Sequence, residues 1–538
     1  MMLLAFMKYR SCLSSGLHLA RASIQNPRRS YVSDADDPAS CIQRIGFGLL
    51  LGVYSNNDGR HDTSQFTPAG EKYNKRVCGR LKQLLSIAGP CPKLGEVRVF
   101  YDLEPNFSAV AVVGLGNDCD GFSEEENLDQ GKENIRVASA SAALTLANLE
   151  INRIYCESFG HAESCAEGAA LALWLFQEHK NLAKRRVPTY LELYDDHDWT
   201  GWQIGLHKAA AQNLARGLME APANYMTPIL FAQKAVEILC KAGVNVEVKV
   251  RQWAELQGMG AFLAVAKGSC QEPVFLEISF HGSGDFKERP IVLVGKGCTF
   301  DSGGMCLGQP DKICMMRGDI AGAACVVAAI RAIASLQLPI NVYGLIPLCE
   351  HMPGCNAMKP GEIINSFSGK TILVQDTRCE GRLMLADALS YAQTFWPRFI
   401  LDVASLTRGI RNGLGTTASG VYTNSELLWK TLQLASVHTG DRVWRMPLFN
   451  HYTKKMTCSS SVDTKNYGRY PWGGDPCRAA AFLREFVPCG EWLHIDNFSV
   501  MCSDGISDPP YYRAGMTGRP TRTLIEFLSQ LCCKPDCC

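Results

Sequence analysis

The chain has 538 residues, enough to bury more than one large core, so two domains are expected rather than one. Its 54 lysines and arginines nearly balance 53 aspartates and glutamates, leaving a net charge of +1, which excludes a whole-molecule field that would gather nucleic acid or an anionic membrane. Beyond the N-terminus no stretch offers the roughly 18 consecutive apolar residues of a membrane span, so neither nucleic acid nor a membrane is expected as a partner.

Residues 1–33 carry Lys8, Arg10, Arg21, Arg28 and Arg29, several serines and no acid, the first carboxylate being Asp34. This is the composition of a mitochondrial transit segment, with Leu3, Phe6, Leu13 and Leu17 on one helical face, although Arg10 falls among them. Import into mitochondria is therefore expected. Residues 42–195 then alternate short apolar strands, at 45–53, 97–101 and 109–113, with helices at 137–149 and 165–179, the pattern of an α/β domain.

The acidic stretch 194–199 marks a surface break, and a connecting helix follows over 199–220, strongly periodic from Trp202 to Met219. A larger unit occupies 221–530, with strands predicted at 246–250, 275–280, 291–294, 340–346 and 399–404 and helices at 320–336 and 382–394. The fold class is thus α/β in two domains, a smaller N-terminal α/β domain and a larger C-terminal one. In the latter a mixed sheet is covered by helices on both faces, with ligands expected at strand ends.

The 24 cysteines are scattered except in the tail over 531–538, where Cys532, Cys533, Cys537 and Cys538 crowd together. In a reducing compartment most of the others are expected to be small buried hydrophobes. The tail suits disulfide cross-links to neighbouring molecules, or is a solvated end.

After the strand at 291–294 comes Gly295-Lys296-Gly297-Cys298-Thr299-Phe300-Asp301-Ser302-Gly303-Gly304, with Asp319 in Arg317-Gly318-Asp319-Ile320 at a helix start and Glu380 opening another helix. Three carboxylates and one amine can converge there, a donor set suited to divalent zinc, manganese or magnesium. The segment Asp376-Thr377-Arg378-Cys379-Glu380-Gly381-Arg382-Leu383 resembles the signature Asn-Thr-Asp-Ala-Glu-Gly-Arg-Leu of the leucyl aminopeptidase family. The sequences Asn213-Leu214-Ala215-Arg216, Lys359-Pro360-Gly361-Glu362 and Gly515-Met516-Thr517-Gly518-Arg519-Pro520-Thr521-Arg522 extend that likeness over essentially the whole chain after the transit-like segment.

The resemblance implies an N-terminal assembly domain, a C-terminal peptidase domain and a hexamer, formed with itself or with close relatives. It implies that Lys296, Asp301, Asp319 and Glu380 are metal ligands and that Arg382 holds a carbonate. It also implies three departures: Arg378 in place of a carboxylate ligand, Gly308 in place of the lysine that steadies the substrate carbonyl, and Arg408, in the substrate loop Thr407-Arg408-Gly409, in place of a glycine. A guanidinium about 4 Å from a divalent ion would be repelled by roughly 8 kcal/mol at an effective dielectric near 20, so one metal position is expected to be lost. Arg378 is expected to pair instead with Asp301 and Glu380.

Either one divalent ion, zinc or manganese, or none is then expected. The pattern resembles the insect sperm leucyl aminopeptidases, whose catalytic sites are degraded and which pack sperm mitochondria. A catalytically impaired structural protein is the first expectation, and an aminopeptidase with an altered one-metal site the alternative.

Overall fold

The computed structural model describes residues 46–57, 62–118, 120–285, 287–468 and 473–532. The transit-like segment, and Cys533, Cys537 and Cys538 of the tail, lie outside them. The chain divides into two compact units, one reaching to Ala209 and the other running from Ala210 onward with Glu126–Leu128 added, so the division falls inside helix Trp199–Glu220.

In the first unit, strand Phe47–Asn57 is central, flanked in parallel by Phe107–Gly114 and Arg153–Glu157. Val97–Glu104 pairs antiparallel on one side, Tyr190–Tyr194 extends the sheet in parallel on the other, and Asp62–Phe66 folds back on the central strand. Successive side chains of a strand point to opposite faces. Leu50 accordingly enters a cluster with Ala138, Ala142 and Ala166, while Leu49 and Leu51 meet Tyr73, Leu81 and Leu85. The near-continuous apolar run at 47–53 is thus explained by burial on both sides.

Two helices here depart from the sequence expectation. One begins earlier, at Gln130, because Asp129 caps it by accepting the Lys132 N–H at 3.1 Å. The other spans Ala162–Leu173 and stops before the predicted end at 179, since Trp174 turns extended (φ −66°, ψ 136°) and its ring packs near Phe176.

The second unit is built on a nine-stranded mixed sheet. Its middle is parallel, with Ile291–Gly295 between Asn341–His351 and Phe399–Ala404, and Glu491–Asp496 beyond the latter. Val274–His281 and Asn245–Val250 add antiparallel strands at one edge, and Ser419–Thr423 pairs antiparallel with Glu491–Asp496 toward the other. Val292 and Val294 enter a cluster with helices Gly260–Ala266, Glu380–Ala392 and Asp475–Arg484. Helix Ala321–Ser335 packs on the same strands, with Thr521–Cys532 against it.

The helix predicted at 320–336 is preceded by a 3-10 stretch, Cys314–Ile320. Together the 22 residues Cys314–Ser335 are apolar and long enough to cross a membrane, but 89% of their most apolar 18-residue window is buried inside the unit, which makes it a core helix. The cysteine expectation needs correction. Of the described free cysteines seven are buried (Cys156, Cys165, Cys298, Cys325, Cys349, Cys477, Cys502) and seven are exposed, so most are not core residues. No disulfide forms among the described residues, and Cys532 donates its S–H to Leu528 O at 3.2 Å on the last turn of its helix.

Candidate metal centre

Lys296 leaves the parallel strand Ile291–Gly295 and is fixed by its backbone, its N–H donating to Val403 O (3.0 Å) and its C=O accepting from Ala323 N–H (2.9 Å). Its buried Nζ donates to Asp319 Oδ2 at 2.6 Å, to Glu380 Oε1 at 2.7 Å and to Ser405 O at 3.0 Å. Asp319 stands on the 3-10 stretch and also accepts from Ser405 Oγ at 2.7 Å. Glu380 is the first residue of helix Glu380–Ala392, where the helix dipole favours a carboxylate. Gly381 follows, and a Cβ there would stand 2.7 Å from Lys296 Cε, so a larger residue would push the lysine off its partners.

Burial alone would weaken the charge on Lys296, yet Asp319 and Glu380 beside it raise its pKa well above that of a free lysine. Cys298 stands near Asp319 and Glu380, but burial and then the carboxylates of Asp319 and Asp301 push its thiol well up, against its becoming a thiolate ligand.

On the other side of Glu380, Asp301 ends strand Gly297–Asp301, in register with His351. Its Oδ1 lies 2.7 Å from His351 Nδ1 and accepts the Gly303 N–H at 2.8 Å. Gly303 and Gly304, at φ +87° and +65°, then turn the chain in the left-handed region. Thr377 Oγ holds this turn by donating to Gly303 O at 2.7 Å.

Arg378 does not pair with Asp301 and Glu380, contrary to expectation. It folds back on Asp376, whose carboxylate accepts its backbone N–H (2.9 Å), its Nε (3.1 Å) and its Nη2 (2.7 Å), and its side chain is 58% exposed. The reason is local. Asp376 offers a carboxylate two residues away with the guanidinium still in water, whereas reaching Glu380 would require burying the charge. Burial works against ionisation of Asp376, but its hydrogen bonds from Arg378 prevail and lower its pKa below the usual aspartate value. The pair is neutral, so the repulsion expected at an ion beside it largely disappears.

The other expected site residues fall around this centre. Arg382 is buried, donating from Nη1 to Asn466 O at 2.7 Å and from Nη2 to Asp475 Oδ1 at 2.5 Å. Its Nε meets no acceptor among the described residues, leaving a donor for an anion such as carbonate. Gly308 donates its N–H to Ser302 O at 2.8 Å, and a Cβ there would meet only that oxygen, at 3.5 Å. Thr407 Oγ donates to Asp496 Oδ2 at 2.6 Å, the exposed Arg408 opens helix Arg408–Leu414, and Gly409 lies close against Pro476.

The structure therefore brings Lys296, Asp301, Asp319 and Glu380 together and keeps Arg378 apart. It adds His351, which sequence reasoning missed because its partner Asp301 is 50 residues away and no local motif joins them. The residues present fit one divalent ion: with Lys296 an ammonium, the three carboxylates leave two negative charges in excess, and the Arg378–Asp376 pair adds none.

Comparison with known proteins shows the family. Residues 213–525 match the catalytic-domain model of the cytosol aminopeptidase family, and residues 50–181 match the N-terminal-domain model of the same family. The chain is 48% identical over 483 residues to the cytosol aminopeptidase of Bos taurus, covering 89% of this chain and 92% of the relative, and is equally similar to that of Homo sapiens. The cytosol aminopeptidase of Dictyostelium discoideum is 38% identical over 496 residues. Among solved structures, the bottromycin maturation enzyme BotP in complex with Mn superposes with a TM-score of 0.77 at 27% identity, over 91% of this chain and all of that one. Two family models and a fold shared throughout place the chain, an aminopeptidase-like protein, in the cytosol aminopeptidase family.

Proposed function

We propose that this protein is a catalytically impaired member of its family that keeps a single divalent-ion site, zinc or manganese, and serves as a structural, oligomeric component of mitochondria, sperm mitochondria by the resemblance noted above. The observation that carries the reading is the divided site. The half around Lys296, Asp319 and Glu380 is complete, while position 378 presents a guanidinium turned to solvent in place of a ligand. When bound, a divalent ion polarises a carbonyl and acidifies a water.

Asp301, Asp319 and Glu380 would hold that ion, with Lys296 joining them only as the neutral amine once its proton has left; Arg382 holds an anion through its free Nε, and the Thr407–Asp496 bond fixes the loop beside the substrate. What the chain lacks is a second electrophile, since Gly308 has no side chain to meet developing charge, and losing one such donor costs about 100- to 1000-fold in turnover. The assembly is read as a hexamer, of this chain or of this chain with close relatives, and the cysteine-rich tail as its route to disulfide cross-links.

One observation favours the alternative, an aminopeptidase releasing N-terminal residues with an altered one-metal site: Arg378 leaves the ion position open. Hydrolysis of leucine amide decides between them, using wild type with excess zinc or manganese beside the variant Arg378→Asp, Gly308→Lys, Arg408→Gly. The structure has room for these changes at an exposed Arg378, an open Gly308 and an exposed Arg408. A silent wild type with an active variant supports the impaired reading. Robust wild-type turnover overturns it in favour of the one-metal enzyme.

A further inference from the structure

We infer that His351 is a ligand of the bound ion, supplying the donor that position 378 no longer provides. The inference rests on the one-ion reading above and adds a residue to it. Asp301 and His351 are register partners on neighbouring parallel strands, so both side chains are delivered by rigid sheet rather than by loop. Ligand atoms of Asp301, His351 and Glu380 lie within 4.8 Å of one another, and Nδ1 of His351 is 2.7 Å from Asp301 Oδ1. That spacing is close to the separation of adjacent donors on one small ion, whose bonds are about 2.0–2.1 Å.

His351 also stands where a substitute is needed. Its Nε2 would lie 2.5 Å from a Cβ on Gly304, and the Cγ of Arg378 3.2 Å from a Cβ on Gly303, so both side chains approach the same glycine turn. Arg378 approaches it from solvent, and His351, 1% exposed, from the interior. The carboxylate missing at 378 is thus matched by an imidazole against the same wall, beside the same Asp301 and Glu380. An imidazole changes the metal preference. Nitrogen donors suit zinc, cobalt and copper, whereas magnesium and manganese suit all-oxygen sets.

The experiment uses full-length protein whose exposed thiols have been alkylated so that they cannot reduce the probe ion, stripped with chelator and loaded with one equivalent of copper(II), read by pulsed electron paramagnetic resonance. The remote nitrogen of a coordinated imidazole modulates the echo in a way that a lysine amine cannot. The expected result is imidazole modulation in the wild type that is lost in His351→Asn and His351→Gln. Zinc affinity by calorimetry falls at least about 10-fold in both, with magnesium affinity changed less. The chain has 11 histidines, so a second, residue-resolved measurement on the wild type needs no variant to fold: zinc slows C2-hydrogen exchange of His351, read by mass spectrometry.

Metal-loaded wild type without imidazole modulation, modulation unchanged in both variants, or C2 exchange at His351 indifferent to zinc overturns the inference. None of these readouts involves turnover. A failure here therefore leaves the impaired-peptidase reading standing, and robust leucine amide hydrolysis would sink that reading without touching this one.

Discussion

The two halves of the metal centre are built on opposite principles. Around Lys296 the charges are tightly paired: the ammonium meets Asp319, Glu380 and Ser405, and the residues are almost wholly out of water. Around Asp301 the site is half open, with His351 beneath and Arg378 swung onto Asp376 at the surface. The difference teaches where a family site can change. A buried charge network penalises removal of any one member, because the partner is left desolvated and unpaired, so the inner half resists substitution even if catalysis is no longer needed. An exposed position such as 378 carries no such penalty.

The largest effect that would test this contrast is on stability. Lys296→Met leaves Asp319 and Glu380 buried without their cation and is expected to cost about 3–5 kcal/mol, measured by denaturant unfolding. A cost under about 1 kcal/mol would show that the inner half is not held by charge pairing. Next comes the tether. Asp376→Asn removes the carboxylate that holds Arg378 outward, so the guanidinium can turn toward Asp301 and Glu380 and weaken zinc binding by about tenfold, which is 1.4 kcal/mol.

Adding Arg378→Asp to Asp376→Asn recreates the family's Asn-Thr-Asp order and should restore or exceed wild-type affinity. A calorimetric titration in which Asp376→Asn binds zinc as well as wild type would break the tether argument. The smallest effect belongs to Arg378→Ala, which removes an ion pair that is largely in water. It should change stability by no more than about 1 kcal/mol, and a larger loss would mean that the outer half is more structural than its exposure suggests.

Much of the architecture was legible. Strand Phe399–Ala404 begins and ends where its apolar run does, because a central parallel strand is buried on both faces and its composition changes sharply at each end. Helix Glu380–Ala392 opens at the glutamate expected to open it, which the helix dipole stabilises, two residues before the periodic stretch begins at 382. Less legible was the end of the helix at Leu173, where nothing in the apolar spacing of the following residues announces an extended Trp174. At the site, the direction of Arg378 could have been read from the paired change at 376 and 378, an acid and a base two residues apart. His351 could not, since its meaning depends on a register between strands.

The sequence by itself determined most of the elements, because local periodicity is a short-range property, and its resemblance to a known family implied that Lys296, Asp301, Asp319 and Glu380 meet. Tertiary structure alone decided that Arg378 turns outward and that an imidazole stands beside Asp301. Both depend on which side chains distant chain segments bring within a few ångströms, and on which of two carboxylates lets a guanidinium keep its water.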